Sequence, residues 1–443
     1  MGKYTKQILK LSWPVMVGMV LQSLMVTFDL FFISKLGTSY TSAASMATSM
    51  LHVTFATAAL TAAGAIAIAA RSVGEGQWDK VRSATGNGIM LSLMVGTLLA
   101  LVCFFATDFL LRTIYRTSDP ELLGLATSYL KVGFWTIPFL YVSGCLRSIM
   151  QGTGDTVKPL IIFGAANVIN IILDPLFIFG LDLGLSGAAL ATLVSLIVAS
   201  LWTIHAVVHS VYEGSYGALV ASLKLEAQRV SQIFKIGFWA SLQQVARPIT
   251  GLVMMSIVLQ AGGKPATAAF GIGMQLFGYT FIIISGIATS MAILSGQALG
   301  RKDLTEISSL VKSGLLLVFA NVMVFSIPYV FFPDVFFRFF LDDPAVLTVG
   351  RSYLRIIFAC MPLVCFSIVY AGVFNGSGMT RPPMTASLVA NVAFKLPAAY
   401  VLAIPMGMGT NGVWTAISVS ILIEAFILTL YYRQGKWKTF SIE

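Results

Sequence analysis

The chain has 443 residues, of which 57% are hydrophobic and only 10% are charged, and its formal net charge is +10. Soluble globular proteins carry about 25% charged residues, so this composition excludes a cytosolic enzyme, a disordered chain and a secreted disulfide scaffold. It indicates a polytopic membrane protein.

Long apolar runs recur along the whole chain. A transmembrane helix needs about 20 mostly apolar residues, and twelve runs meet that length, which predicts an all-α protein with twelve transmembrane helices, here called spans 1 to 12. Little sequence remains between the runs, so we expect no soluble domain of about 50 residues or more. The predicted spans are 12–34, 46–70, 86–106, 122–150, 160–179, 187–208, 233–259, 268–294, 311–332, 346–374, 384–404 and 412–432.

Basic residues gather in the connections on one side of the predicted membrane, among them Lys80, Arg82, Arg147 and Lys158. About 18 of the 28 Lys and Arg residues fall on this side, the bias that marks cytoplasmic loops. We therefore expect a multi-pass protein of the cell's inner (plasma) membrane with both chain ends cytoplasmic. No basic block with interleaved aromatic residues occurs, so we expect membrane lipid and no nucleic acid as a partner.

The two halves of the sequence share motifs in nearly constant register. The segment GTGDT at 152–156 returns as GSGMT at 376–380, and GLSG at 184–187 returns as GTNG at 409–412. The distance along the chain between the two copies changes by a single position from the first pair to the second. A run of matches in such a register indicates internal duplication.

Each copy of the repeat has six spans. Because six is even, both copies enter the bilayer from the same face, so they are parallel repeats related by a pseudo-twofold axis along the membrane normal. We expect an N-terminal six-helix lobe over 1–208 and a C-terminal six-helix lobe over 233–443. The polar stretch 209–232 is predicted to be the cytoplasmic linker between them.

Only three of the 18 acidic residues fall inside the predicted spans: Asp29, Asp174 and Glu424. A charge there costs roughly 2.5–3.5 kcal/mol on insertion scales, so each needs a reason to be present. Gln22 lies seven residues before Asp29, on the same helix face, and is a candidate cavity residue. Asn170 precedes Asp174 by four residues, so both polar side chains point the same way.

Pro175 follows Asp174 directly and leaves a backbone carbonyl of span 5 without its hydrogen bond. Carboxylates, an amide oxygen and a free carbonyl form an all-oxygen site that suits a proton or a hard cation. At the matching positions of the second half stand Met254 for Asp29 and Ala398 for Asp174. The duplicate keeps the helices without the acids, which favours a functional role, although two neutral acids hydrogen-bonded between helices are the alternative.

The chain resembles the multidrug and toxic compound extrusion (MATE) family. The resemblance lies in the aspartate of span 1 with the turn at 35–37, the NIILDP motif at 170–175 and the GAALAT opening of span 6 at 187–192. The duplicated six-span halves fit the same family. The resemblance implies a non-enzymatic antiporter, working as a monomer without a cofactor, that expels amphipathic or cationic compounds against inward H⁺ or Na⁺.

The resemblance also assigns roles to individual residues. It implies that Asp29, Asn170, Asp174 and Thr192 bind the coupling H⁺ or Na⁺, as the prokaryotic branch with its ion site in the N-terminal lobe does. Two weaker assignments are Tyr129 in span 4 and Pro14 as a point where span 1 bends.

Other interpretations stay open at this point. Arg247, Lys395 and Glu424 in the second half form either a structural salt bridge or a group that selects substrates. A flippase for a lipid-linked saccharide, from a related superfamily, is the alternative function, and it requires a strongly cationic cavity. No catalytic motif supports a membrane enzyme. Uphill rather than downhill flux separates a transporter from a channel.

Overall fold

The computed structural model describes residues 2–115 and 119–440, and within these residues it contains helices and no strand. A helix satisfies its backbone hydrogen bonds within one segment, which is what a chain needs where no water is available. The predicted all-α fold is confirmed.

Among the described residues, ten helices are long and apolar enough to cross a membrane, and a pair of helices bent by 42° also qualifies when taken together. The longest of the ten is interrupted by non-helical backbone at Gly263 and counts as spans 7 and 8. This gives the twelve predicted spans, in chain order Lys3–Ser34, Thr38–Gly74, Trp78–Ile114, Pro120–Gly133 with Thr136–Gly152, Val157–Gly180, Gly184–Val211, Ala227–Gly300 for spans 7 and 8, Leu304–Phe331, Pro344–Ser377, Arg381–Ala403 and Gly409–Gln434.

Several helices extend past the predicted ends of their spans. Span 1 begins at Lys3 and span 2 at Thr38, each well before the first strongly apolar residue. Hydropathy marks the part of a helix that suits hydrocarbon, whereas the helix itself ends where the backbone is interrupted. Between spans 1 and 2 the interruption is Gly37, whose φ of 121° suits a residue without a side chain.

The break between spans 7 and 8 has a clear local cause. Gly263 has a φ of 65° and a ψ of −156°, a conformation that favours glycine. Pro265 follows two residues later and cannot donate a backbone hydrogen bond. The two residues turn one continuous helical stretch into two spans.

Matched helix caps support the duplication. Asp119 accepts hydrogen bonds from the backbone N–H groups of Glu121 and Leu122, and Pro120 occupies the first helical turn. Asp343, its counterpart in the second half, accepts from the N–H groups of the second and third residues after it, again with a proline in the first turn. Spans 4 and 10 therefore begin with the same capping chemistry.

The chain divides into two compact units. The first unit comprises Val17–Ser241, and the second comprises the stretch up to Met16 together with the chain from Leu242 onward. The segment 209–232, predicted as a linker, contains the short helix Tyr216–Ser222 and the start of span 7. A second short helix, Pro333–Arg338, follows span 9.

Each unit also contains the first turns of a helix that belongs to the other half of the sequence. These turns pack closely against helices of the unit. In the first unit, the beginning of span 7 lies so close to span 2 that a Cβ added at Gly237 would fall 1.6 Å from the carbonyl oxygen of Leu60. In the second unit, the beginning of span 1 contacts span 8, where Ser12 Oγ and Ser290 Oγ are 2.8 Å apart. The predicted bounds of the lobes at 208 and 233 stay a prediction.

Candidate functional site

A cavity of about 340 Å³ lies within the first unit and receives side chains from spans 1, 2, 4, 5 and 6. Its size falls in the range of small-molecule binding pockets, roughly 300–1,000 Å³. Four predicted site residues line it: Gln22, Asp29, Tyr129 and Thr192. Leu30, Leu51, Phe55, Leu140, Phe163 and Leu196 supply apolar walls.

Asp29 and Asp174 meet at the wall of this cavity. Asp29 is half-buried and lines the cavity, whereas Asp174 is completely buried behind it, with its carboxyl group within hydrogen-bonding reach of Asp29. Within the described part of the chain, neither oxygen of Asp174 receives a hydrogen bond from a protein donor. Two facing carboxylates hydrogen-bond only if one holds a proton, and they repel each other if both are charged.

Asn170 connects the acid pair to span 6. It is completely buried, and one orientation of its amide satisfies both neighbours: the nitrogen donates to Asp29 Oδ1 at 3.0 Å, and the oxygen accepts from the backbone N–H of Thr192 at 3.2 Å. The hydroxyl of Thr192 donates to the carbonyl of Ala188 at 3.2 Å. The four residues assigned to the coupling ion are therefore neighbours in space.

The weaker candidates divide between the two units. Tyr129 is 7% exposed and lines the cavity together with Asp29 and Thr48. Gln22 is exposed to the cavity and contacts Met25 through its amide nitrogen. Pro14 lies in the second unit and is not among the cavity residues of the first. It is buried, and span 1 passes through it as a continuous helix.

Several polar cavity residues were not assigned to the site from the sequence, among them one arginine. Arg147, grouped above with the cytoplasmic connections, lies inside helix Thr136–Gly152 and lines the cavity with its guanidinium 4.8 Å from the centre of the Phe163 ring. His52 and Asn167 line it as well. The signal for Arg147 was available, because this residue falls inside the predicted span over 122–150.

The matching region of the second unit has no acid pair. Met254, which matches Asp29, is 2% exposed and belongs to the apolar core of that unit. Trp414, which matches the cavity residue Ala189, is completely buried and packs against Tyr353 with ring centres 4.9 Å apart. At these two positions the second unit has packed side chains where the first unit borders its cavity.

The sequence profile of the MatE family matches the chain twice, over residues 14–176 and 240–401. The two matches together cover well over half of the chain, and each covers most of one half. They agree with the duplication read from the shared motifs.

Individual relatives match over nearly the whole length. A probable multidrug resistance protein NorM from Thermotoga maritima is 25% identical over 98% of this chain and 93% of its own. The multidrug export protein MepA of Staphylococcus saprophyticus is 26% identical over 97% of this chain and 94% of its own. A MATE protein crystallised in a bent conformation shares the fold, with a TM-score of 0.90 at 23% identity over 98% and 96% of the two chains.

The matched profile, the relatives and the shared fold agree with the resemblance found in the sequence, including twelve helices in two lobes and a transporter rather than an enzyme. This chain is a multi-pass membrane protein that belongs to the MatE family, the multidrug and toxic compound extrusion transporters.

Proposed function

We propose that this protein is a secondary active multidrug exporter that moves amphipathic or cationic organic compounds outward while H⁺ or Na⁺ flows inward. The observation that carries the proposal is the contact between Asp29 and Asp174 at the wall of a drug-sized cavity. The relatives named for multidrug export and multidrug resistance support it. We place the protein in the cell's plasma membrane as a monomer, with both chain ends on the cytoplasmic side.

The acid pair would bind the coupling ion. Two contacting carboxylates in apolar surroundings are costly to hold charged, and either a shared proton or a bound cation relieves that cost. Asn170 can serve both states, because its amide nitrogen donates to a bare carboxylate while its oxygen, after the amide turns, is a ligand for a cation. The hydroxyl oxygen of Thr192 would add a further oxygen ligand to a site suited to Na⁺.

Coupling would follow from linkage between the ion and the drug. Asp29 belongs to the cavity wall and to the acid pair at once, so a proton or cation that neutralises the pair changes the charge that a cationic drug meets. Each ligand then weakens the binding of the other by the same factor. A change of helix packing around Pro14 in span 1 would accompany the exchange, since proline removes a backbone hydrogen bond there.

The alternative, a lipid-linked saccharide flippase, has weaker support. A pyrophosphate headgroup calls for several cations, and Arg147 is the one Arg or Lys among the cavity residues of the described chain. An acid pair at the wall of the same cavity would repel such a headgroup.

Reconstitution into liposomes tests the proposal. Ethidium, a cationic dye, is followed by fluorescence while a pH gradient alone, a Na⁺ gradient alone, or neither is imposed. We expect uphill dye movement under at least one gradient and none after an ionophore dissipates it. Downhill movement only, at a rate indifferent to both gradients, would contradict ion-coupled export.

A further inference from the structure

The second unit contains a group of charged residues in the middle of its spans. Arg247 lies in span 7, Lys395 in span 11 and Glu424 in span 12. Charges at this depth are rare in membrane proteins and face either the protein interior or a water-filled cavity. Their neighbours therefore decide what they do.

An asparagine joins two of these charges. Lys395 Nζ donates to Asn391 Oδ1 at 2.9 Å, and Asn391 Nδ2 donates to Glu424 Oε2 at 3.0 Å. The amide thus satisfies the ammonium and the carboxylate together, and all three side chains are partly buried.

Arg247 is left without such a partner. In the part of the chain that the structure describes, its guanidinium makes no ion pair and donates no hydrogen bond, although Glu424 lies near enough to act on it electrostatically. The side chain is exposed and lies over the ring of Phe281, with the guanidinium carbon 5.3 Å from the ring centre. Five N–H donors on a planar, permanently charged group therefore lack an acceptor.

The charges do not cancel. Glu424 carries one negative charge, and Arg247 and Lys395 beside it carry two positive charges. The two cations lie close enough to repel each other. The group has a net charge of one positive unit, and the open donors are those of Arg247. An anion with paired oxygens, such as a carboxylate, fits a guanidinium through two parallel hydrogen bonds.

An apolar surface adjoins the guanidinium. Phe281 is stacked on Phe277, with ring centres 5.9 Å apart and planes 18° from parallel. The cation can bind an acidic group, and the stacked rings beside it can contact an aromatic body. Together they fit an amphipathic molecule that has both.

The position of this group in the repeat indicates a ligand rather than a structural tie. In the register that the shared motifs set, Arg247 matches Gln22 and Asn391 matches Asn167. Both Gln22 and Asn167 line the cavity of the first unit. Arg247 and the asparagine of this group thus stand at positions that correspond to the cavity wall of the first unit.

We propose that Arg247 binds the carboxylate of an amphipathic molecule carried by this protein, with the rings of Phe277 and Phe281 contacting its apolar body. The inference rests on the proposed export function and extends it: the substrates would include zwitterions and acids, besides the cations that the acid pair of the first unit attracts. Glu424 limits the affinity by competing electrostatically for the guanidinium.

A matched pair of dyes tests the inference. Rhodamine 110 has a free carboxyl group, and rhodamine 123 is its methyl ester, so the two differ in the proposed contact and share the aromatic body. Binding of each dye to the purified protein in an uncharged detergent is measured by fluorescence anisotropy at about pH 7.5, where a carboxyl group is ionised. No ion gradient is needed.

We expect Arg247→Gln to raise the dissociation constant of rhodamine 110 by about tenfold or more, the loss of a charge-assisted pair, and that of rhodamine 123 by less than about twofold. Glu424→Gln, which removes the competing carboxylate, should tighten rhodamine 110 binding. Arg247→Lys keeps the charge without the paired geometry and should give an intermediate value. Monodisperse elution of each variant establishes that it is folded.

Three results would overturn the inference: no binding of rhodamine 110 to the unaltered protein, an equal effect of Arg247→Gln on both dyes, or weaker rhodamine 110 binding in Glu424→Gln as well as in Arg247→Gln. The last result is what a structural salt bridge predicts, because either substitution breaks it. Failure of gradient-driven ethidium export would count against the proposed function alone, since the dye comparison is made at equilibrium.

Discussion

Tyr129 in span 4 and Tyr353 in span 10 occupy matched positions of the two halves, yet they have different neighbours. Tyr129 borders a cavity beside Asp29, whereas Tyr353 is 1% exposed and lies against the rings of Trp414 and Phe270. The difference follows from side-chain size, because a tryptophan in the second unit stands where the first unit has an alanine. At this matched position the first unit thus borders a cavity and the second has packed aromatic rings.

The same comparison holds for charge. The first unit places two acids in contact where the second has Met254 and Ala398, and the second unit places Arg247 where the first has Gln22. Caps and close helix contacts, which determine the fold, recur in both halves. We infer that duplication preserved the packing and left the polar residues of each half free to take separate tasks.

The largest expected effect comes from removing the acids of the first unit. Asp29→Asn and Asp174→Asn should each lower gradient-driven ethidium export by about 100-fold, because a neutral amide cannot release a proton or pair with a cation. Glu424→Gln, an equally conservative change in the second unit, is the matched control and should leave ethidium export within about threefold of the unaltered protein. Equal losses of ethidium export in all three variants would contradict the proposal that the first unit alone binds the coupling ion.

A smaller effect is expected at Asn170. Asn170→Ala removes the amide that donates to Asp29 and should change coupling-ion affinity by about tenfold, the usual scale for a hydrogen bond to a charged group. Na⁺ binding should weaken because an oxygen ligand is lost, whereas H⁺ binding should tighten because the bare carboxylate loses its donor. Asn167→Ala, one turn away on the same span and also in the cavity wall, is the control and should change ion affinity little. The measurement is the concentration of H⁺ or Na⁺ that half-saturates export, and a larger effect at Asn167 would contradict the assignment.

Packing at the matched helix crossings gives a stability test. Gly237→Ala would place a methyl group 1.6 Å from the carbonyl oxygen of Leu60, so we expect a loss of about 1–3 kcal/mol from overpacking. Gly251→Ala, on the same helix with no atom within 4 Å of the new methyl group, should be neutral or stabilising. Thermal unfolding in detergent compares the two, and equal stabilities would refute the close contact.

The smallest effect concerns a polar contact between the fourth span of each half and the segment that precedes it. In the second unit Asp334 pairs with Arg351, and in the first unit Thr127 donates to Asp108 at 3.1 Å. The hydrogen bond from Arg351 holds the pKa of Asp334 below its ordinary value near 3.8. The ion pair therefore stabilises the fold above about pH 4 and loses that contribution as the pH falls through the lower folded-state pKa.

Because both partners are exposed, Asp334→Asn should cost less than about 1 kcal/mol at neutral pH. The cost should vanish in acid. Unfolding measured at pH 7 and in acid checks the sign, and a cost that grows in acid would be the contrary result.

Much of the architecture could be predicted because a helix that crosses the hydrocarbon core of a membrane needs about 20 mostly apolar residues. Twelve apolar runs predicted twelve spans, and the motif register predicted the duplication. The ends of the helices could not be found in the same way, since Lys3 and Thr38 extend helices into polar sequence where hydropathy gives no signal.

The candidate site was predictable in part. Asp29, Asp174 and Asn170 were recognisable because polar groups in apolar spans are costly, and the structure brings them together. Arg147 was missed because it lies near the end of its span, where a basic residue is also expected in a cytoplasmic connection. Which face of a helix borders a cavity depends on the neighbouring helices, and a single sequence does not contain that information.

The most direct test of the central claim, that the acid pair binds the coupling ion in competition with the drug, is the dissociation constant of ethidium measured on the purified protein across pH and Na⁺ concentration. We predict that ethidium binding weakens as protons or Na⁺ saturate the unaltered protein, and that Asp29→Asn and Asp174→Asn remove this dependence. An unchanged dependence in both variants would contradict the account.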